Sequence, residues 1–390
     1  MSTATPSLAK LPTLTGLRFF AALSVFFFHI TLSNSPIPPN NPINPFADAQ
    51  LGGALETIFS KAGYLGVSFF FILSGFVIAW SYKDGEKNTA FWRRRLVKIF
   101  PNHIVMWIVA MVLFAAAITS PAGYLSNLFL LNSFVPDGSI YVAVNPPSWT
   151  LCSELLFYML FPLLYVLVKK IKVQRLWLWA GLMVVGILAV ALITQFVISD
   201  SPKSALTPIS TLQFWFGYIF PVPRLFEFVL GSILARLVMQ GVRVRLNLPV
   251  TLLLCLGGYL LAYWVPFTFS FTAAMVVPLA LLIVVAAGRD ADGKLGVLAS
   301  KPMQFLGNIS FGFYLCQGVT IFYARIAMGN GTYPTWLAIL TIIGLFLLTL
   351  LGGWLLYTFV EMPAMRRWAR PRSIAKPTPA PVRQLQEEVS

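Results

Sequence analysis

Charge is scarce in this chain. Only 11% of its 390 residues are Asp, Glu, Lys or Arg, where a soluble domain carries about 25%. That is too little to cover a water-facing surface. It excludes the two or three soluble domains that length alone suggests, and it excludes intrinsic disorder. Cysteine is nearly absent: Cys152, Cys255 and Cys316 all lie in apolar surroundings with neither disulfide nor metal spacing, so a secreted disulfide scaffold is excluded too. Histidine is rarer still, with only His29 and His103. The chain contains no zinc motif, no Walker A, no GxGxxG and no Gly-x-Ser-x-Gly nucleophile elbow. No metal site is expected.

Hydrophobic residues make up 58% of the chain, and the mean hydropathy is +0.78. Ten apolar runs, roughly 14–32, 62–82, 102–120, 149–168, 176–198, 223–240, 249–265, 270–288, 303–327 and 335–359, approach the ~20 residues needed to cross the hydrocarbon core. A bilayer offers no water to backbone groups, and the runs are too long for barrel strands, so helix is the expected state. The fold class is therefore an all-α polytopic membrane protein with about ten transmembrane helices. Pro221, Pro223, Gly257 and Gly258 interrupt the region 205–265, where the run 205–221 reads as an interfacial or extra hydrophobic element.

The net charge of +15 would suggest nucleic acid in a soluble protein. Here the basic residues flank the spans. With the N-terminus placed in the cytoplasm, 23 of the 28 fall in inner segments, and only Lys61 and Lys203 in outer loops. That asymmetry predicts both termini inside, with no nucleic-acid partner. The run 11–32 is long for a cleaved signal and contains Arg18 and His29. Residues 1–370 read as one membrane domain, 371–390 as a disordered cytoplasmic tail rich in Pro and charge, and 33–50 as a polar, Pro-rich outer loop. No internal repeat is evident, which weakens an inverted-repeat transporter.

Ionisable groups inside spans are costly and are functional candidates by default. They are Arg18, His29, Glu154, Arg224, Glu227 and, near an outer end, Arg325. Arg18 and His29 are eleven residues apart, three turns plus about 20°, so both project from one helix face roughly 16 Å apart along the axis. That face presents a fixed cation toward the cytoplasm and a titratable imidazole toward the outside. The bland alternative is that Arg18 snorkels to lipid phosphate and His29 caps a helix end. Glu154 should lie at the depth of His29, where a carboxylate would orient the imidazole and stabilise the imidazolium; alternatively it pairs with Arg224 or Arg325. Arg224 and Glu227 can pair locally at i, i+3 or contact substrate. In the basic inner loop 91–101, Arg95 and Lys98 are three apart and could hold a phosphorylated cytoplasmic ligand.

These residues fall in an order that resembles the integral membrane acyltransferase family 3, the sugar O-acetyltransferases of bacterial surface polysaccharides. Leu14 to Ala22 with His29 matches the family's Arg-x10-His. Gly66 to Phe76 looks like its second-span motif, and Phe91 to Pro101, with Arg95, its basic loop. Ser148-Trp149-Thr150-Leu151 with Glu154, Phe157 and Tyr158 is similar to its Ser-Trp-Ser-Leu…Glu…Phe-Tyr element. Arg224 to Phe228, Gly307 to Ser310 with Tyr314, and Glu361-x-Pro363-x-x-Arg366 match later elements. Two departures stand out: Gln317 where the family often has a histidine, and Ser153 before Glu154 where two carboxylates are common.

The resemblance implies a multi-pass protein of the bacterial inner (cytoplasmic) membrane. Its expected activity is transfer of an acetyl group from cytoplasmic acetyl-CoA to a hydroxyl of a surface polysaccharide, such as exopolysaccharide or lipopolysaccharide, or of a lipid-linked sugar. No permanently bound cofactor is expected. His29 would be the base or acyl carrier and Glu154 its orienting partner. Arg18, Arg95 and Lys98 would bind the donor phosphates. Ser148, Trp149, Arg224 and Glu227 would meet the acceptor. A proton-coupled secondary transporter using His29 and Glu154 as a relay is the competing expectation, and an inert scaffolding subunit a third. The enzymatic reading requires Arg18 and His29 to face protein rather than lipid, with a cavity joining them.

Overall fold

A computed structural model describes residues 10–204 and 207–369; the expected tail 371–390 lies outside them. Apart from two isolated bridges, Phe46 with Tyr333 and Lys203 with Ser210, regular structure among the described residues is helical. The main helices are α1 (Pro12–Ile30), α2 (Ala49–Phe59), α3 (Ala62–Ser81), α4 (Asn88–Ala110), α5 (Pro121–Leu128), α6 (Trp149–Lys170) and α7 (Leu176–Phe196). They continue with α8 (Leu225–Met239), α9 (Leu248–Trp264), α10 (Val276–Ala291), α11 (Lys301–Gln317), α12 (Thr335–Leu355) and α13 (Met362–Trp368).

Seven helical stretches among the described residues are long and apolar enough to cross a membrane, so the chain is a helical, multi-pass membrane protein. The expected spans near 223–240, 249–265 and 270–288 appear as the shorter helices α8, α9 and α10, of 15, 17 and 16 residues. For α8 the physical reason is plain. Phe228, Leu230, Ile233, Leu234, Leu237 and Val238 are all buried, and a helix that is apolar all round belongs in a protein interior. Lipid is met elsewhere: α7 exposes Leu178, Leu182 and Val185, and α12 exposes Leu340, Ile343 and Leu347.

The interior helices pack at glycines. A Cβ on Gly75 of α3 would lie 1.9 Å from the Phe228 carbonyl oxygen, and one on Gly231 of α8 would lie 1.9 Å from that of Ile72. Small residues at such crossings let backbones approach where no hydrophobic effect drives helices together. Helix α1 is sandwiched between α3 and α11. Its Phe28 ring meets Tyr64 at 5.6 Å, while Phe19 and Phe26 meet Phe313 at 5.5 and 5.8 Å. The first turn of α1 is capped from a distant element: the Thr13 N–H donates to the Asp290 carboxylate at 2.9 Å, placing negative charge on unsatisfied N-terminal amides.

Two connections are more ordered than hydropathy suggests. Within the Pro-rich segment after α1, Asp48 caps α2 by accepting from the Leu51 N–H at 3.0 Å. The segment 119–148 folds down onto the helices with Asn127, Asn132, Ser133 and Asn145 buried. Two of its amides donate within the segment: Asn127 Nδ2 to the Ala143 carbonyl at 2.9 Å and Asn132 Nδ2 to that of Tyr141 at 2.8 Å. The part of 205–221 that is described resolves as Thr211–Phe214, opened by a Ser210–Gln213 capping box, and a π-helical Trp215–Ile219.

Candidate active site

Helix α1 sends both of its ionisable side chains into protein. Near its C-terminal end, His29 Nδ1 meets Gln317 Oε1 of α11 at 2.7 Å. The ring of Phe322 packs against the imidazole with centroids 5.1 Å apart and planes at 61°. Three turns back, Arg18 lies within electrostatic reach of both Glu154 and Lys98. The aligned face expected from an eleven-residue spacing is thus real, and each end meets different elements.

Glu154 does not take the place expected of it. Rather than pairing with His29, it accepts a hydrogen bond from the Tyr158 hydroxyl at 3.0 Å and sits among Arg18, Lys98 and Arg95. The cause lies in the segment before α6. Pro146, Pro147 and Ser148 are buried, so α6 begins inside the protein, and a residue one and a half turns in reaches toward the Arg18 end of α1. The alternative pairing of Glu154 with Arg224 or Arg325 does not form either. The site has two poles: an imidazole held by an amide, and three cations with two carboxylates, Glu154 and Glu361.

Arg18 and Arg95 keep guanidinium donors unpaired among the described residues. Among the described residues Arg18 makes no hydrogen bond. Arg95 donates from Nη2 to Ser81 Oγ at 3.3 Å and lies over the Phe91 and Tyr158 rings at 5.4 and 5.9 Å, while its Nε is buried without a partner. Lys98 is ion-paired with Glu361, whose second oxygen accepts from Asn102 Nδ2 at 3.0 Å. Arg94, the neighbour of Arg95, is committed to Glu86 in the adjacent loop. Its guanidinium beside Glu86 holds that carboxyl below its usual range. His29, Arg18, Arg95, Lys98 and Glu154 are all only half-buried.

The expected acceptor residues are placed differently: Ser148, Trp149, Arg224 and Glu227 are all buried. The Ser148 hydroxyl donates to the Asn145 carbonyl at 2.6 Å and accepts from Asn127 Nδ2 at 2.7 Å, which fastens the 119–148 segment and uses its one donor. Trp149 packs on Tyr218 at 4.8 Å and Phe71 at 6.3 Å. Arg224 and Glu227 form the local i, i+3 pair, with Nε to Oε2 at 2.8 Å. Arg224 also donates to Thr272 Oγ1 at 2.7 Å and to Ser68 Oγ at 3.4 Å. A cavity of about 20 Å³ beside this pair, lined also by Thr268 and Thr272, is the size of one water. In this conformation these four residues tie α3, α6 and α8 to their neighbours.

Two residues to which the sequence attached no role take part: Gln317, noted only as a departure from a histidine, and Glu361, a motif match without a function. His103, by contrast, is buried, with Nε2 donating to the Asn127 carbonyl at 2.9 Å. Among the described residues no group of three His, Cys, Asp or Glu side chains could hold a metal ion.

The fold and the site define a polytopic helical membrane protein with an imidazole at one end of its first helix and a cation cluster at the other. Residues 11–358 match the family described as acyltransferase domain, and the chain belongs to that family; it is an acyltransferase. It is 38% identical to acyltransferase MdmB of Streptomyces mycarofaciens, over 96% of this chain and 97% of that protein. It is 23% identical to the peptidoglycan O-acetyltransferase OatA of Listeria monocytogenes and 24% identical to the O-acetyltransferase OatA of Staphylococcus aureus. Those matches cover 90% and 92% of this chain but only 55% and 57% of the two relatives. No solved structure matches.

Proposed function

We propose that this membrane acyltransferase moves an acetyl group from cytoplasmic acetyl-CoA to a hydroxyl of a surface polysaccharide or lipid-linked sugar, in the cytoplasmic membrane of a bacterium. The observation that carries the reading is the two-pole arrangement along α1. Arg18, with spare guanidinium donors, joins Lys98 and Arg95 at one end, a setting for phosphate oxygens. His29 stands three turns away, held by Gln317, a setting for a base. The relatives named as O-acetyltransferases support an oxygen acceptor and an acetyl group.

In this reading the diphosphate end of the donor sits against Arg18, Arg95 and Lys98, and the extended pantetheine arm brings its thioester toward His29. The imidazole removes the proton of the acceptor hydroxyl as its oxygen attacks the thioester carbon. The C–S bond then breaks and the proton passes to the departing CoA sulfur. Glu154 acts at the donor pole, where it neutralises the cation cluster when no phosphate is present. Family membership removes the main support of the transporter reading, since it accounts for the buried titratable groups and the basic loop together.

The test is acyl transfer by membrane vesicles containing the full chain, supplied with labelled acetyl-CoA and a glycan acceptor. Label in the acceptor that depends on the protein supports the reading. Donor left unconsumed while a solute accumulates against a proton gradient would replace it with transport.

A further inference from the structure

We infer that Gln317 is a positioning residue that sets the tautomer of His29, placing the proton on Nδ1 and leaving the lone pair on Nε2 for proton abstraction; this rests on the acyl-transfer reading above. The amide of Gln317 is oriented by its other end. Its Nε2 donates to the Ala22 carbonyl oxygen at 3.3 Å. Turning the amide over would set two carbonyl oxygens against each other there, with no donor between them. Oε1 must therefore face His29, and an oxygen with only lone pairs accepts. The 2.7 Å contact is thus Nδ1–H donating to Gln317. A neutral imidazole carries one proton, so Nε2 is the acceptor; it has no hydrogen-bond partner among the described residues.

The backbone of α11 is built to hold that amide. Directly after Gln317 the helix widens into a π-helical stretch, Gly318–Tyr323, whose i→i+5 bonding is a device found at functional sites. In an α-helix, residues 317 and 322 would point about 140° apart. The wider turn brings Gln317 and Phe322 onto the same imidazole. Widening releases carbonyl groups from their usual partners, and side chains take them up. Asn145 Nδ2 donates to the Leu315 carbonyl at 3.1 Å, and the Thr320 hydroxyl donates to that of Cys316 at 3.0 Å. Asn145 gets that close only because residue 318 is glycine: a Cβ there would lie 1.7 Å from Asn145 Oδ1. The buried Asn145–Ser148 turn is thereby part of the support for the base.

A neutral amide and a carboxylate make different partners. Gln317 fixes ring orientation and tautomer but adds no negative charge to hold an imidazolium. This site thus separates the two tasks that one carboxylate performs in a Ser-His-Asp triad.

The chain holds two histidines, and the structure gives them opposite tautomers, since His103 donates from Nε2 to the Asn127 carbonyl. The test is nitrogen NMR of the full chain, labelled with 15N-histidine in nanodiscs, at a pH where both rings are neutral; His103→Gln assigns the signals. Expected is a proton on Nδ1 of His29 and on Nε2 of His103. Gln317→Leu should abolish the Nδ1 preference and lower kcat roughly 10–100-fold, the scale of lost ligand-orienting partners, at unchanged donor KM. Gln317→Glu keeps an acceptor for the Nδ1–H but loses the donor to the Ala22 carbonyl, so it should restore the tautomer and only part of kcat. A proton on Nε2 of His29 in the unaltered protein overturns the assignment, as does Gln317→Leu with tautomer and kcat unchanged. If Gln317→Leu fails to fold, the spectrum of the unaltered protein decides alone. An Nδ1–H signal in a protein that transfers no acyl group keeps the assignment and sinks the acyl-transfer reading instead.

Discussion

At the scale of single residues, the two ends of α1 should fail in different ways. His29→Ala removes the base, and a lost general base costs typically 10²–10⁴-fold. Transfer in vesicles should fall by that factor while membrane insertion and donor KM persist; a mutant that acetylates acceptor at the normal rate would remove His29 from the chemistry. Arg18→Ala should instead raise donor KM, with a smaller effect on the rate at saturating donor; unchanged KM would remove Arg18 from the phosphate role. Glu154 separates the expected from the observed arrangement. As an orienting partner of His29 its loss would reduce kcat alone. As the counter-ion of Arg18, Lys98 and Arg95, its replacement in Glu154→Gln leaves like charges crowded in a low-dielectric setting. The expected result is a lower melting temperature in detergent that acetyl-CoA partly restores, because donor phosphates supply the missing negative charge. A melting temperature that neither falls nor responds to donor would argue against it.

At the scale of elements, the α3–α8 crossing is the most exacting contact. Gly231→Ala forces the helices apart at a carbonyl 1.9 Å from the new methyl group. Overpacking of this kind costs about 1–3 kcal/mol, to be read as a lower melting temperature. Gly257→Ala, where nothing lies within 4 Å, is the control and should not destabilise. Elements also show where the sequence was readable. The long apolar runs became helices, because hydropathy over ~20 residues is an unambiguous signal. The aligned Arg18–His29 face followed from helical periodicity alone. What spacing does not encode is contact between distant elements: Gln317 meets His29 across 288 residues. The π-helical stretches leave the run of apolar residues intact and so leave no trace in hydropathy. Glu154 was misplaced by depth, since counting from the start of a span assumes that the span starts at the membrane surface. The folded 119–148 segment breaks that assumption.

At the scale of the whole molecule, the contacts formed along the chain agree with a single orientation. Lys98 of α4 pairs with Glu361, at the far end of the last long helical stretch, and both adjoin basic segments. His29 and Gln317 meet at the C-terminal ends of both α1 and α11. Helices pair this way only if α1 and α11 run in one direction and the stretch ending at Glu361 runs in the other. That is the alternation expected with both termini in the cytoplasm. The decisive quantity is the side of two exposed positions, Ser33 after α1 and Lys87 before α4. Cys152 and Cys316 are buried and Cys255 is partly so; a chain with these three replaced by Ser or Ala gives a clean background for single cysteines. Ser33→Cys should react with a membrane-impermeant maleimide in intact spheroplasts, and Lys87→Cys only after the membrane is opened. The reverse pattern would put the cation cluster outside. Arg18, Arg95 and Lys98 would then face a compartment without acetyl-CoA, and the donor would have to be something other than a cytoplasmic thioester.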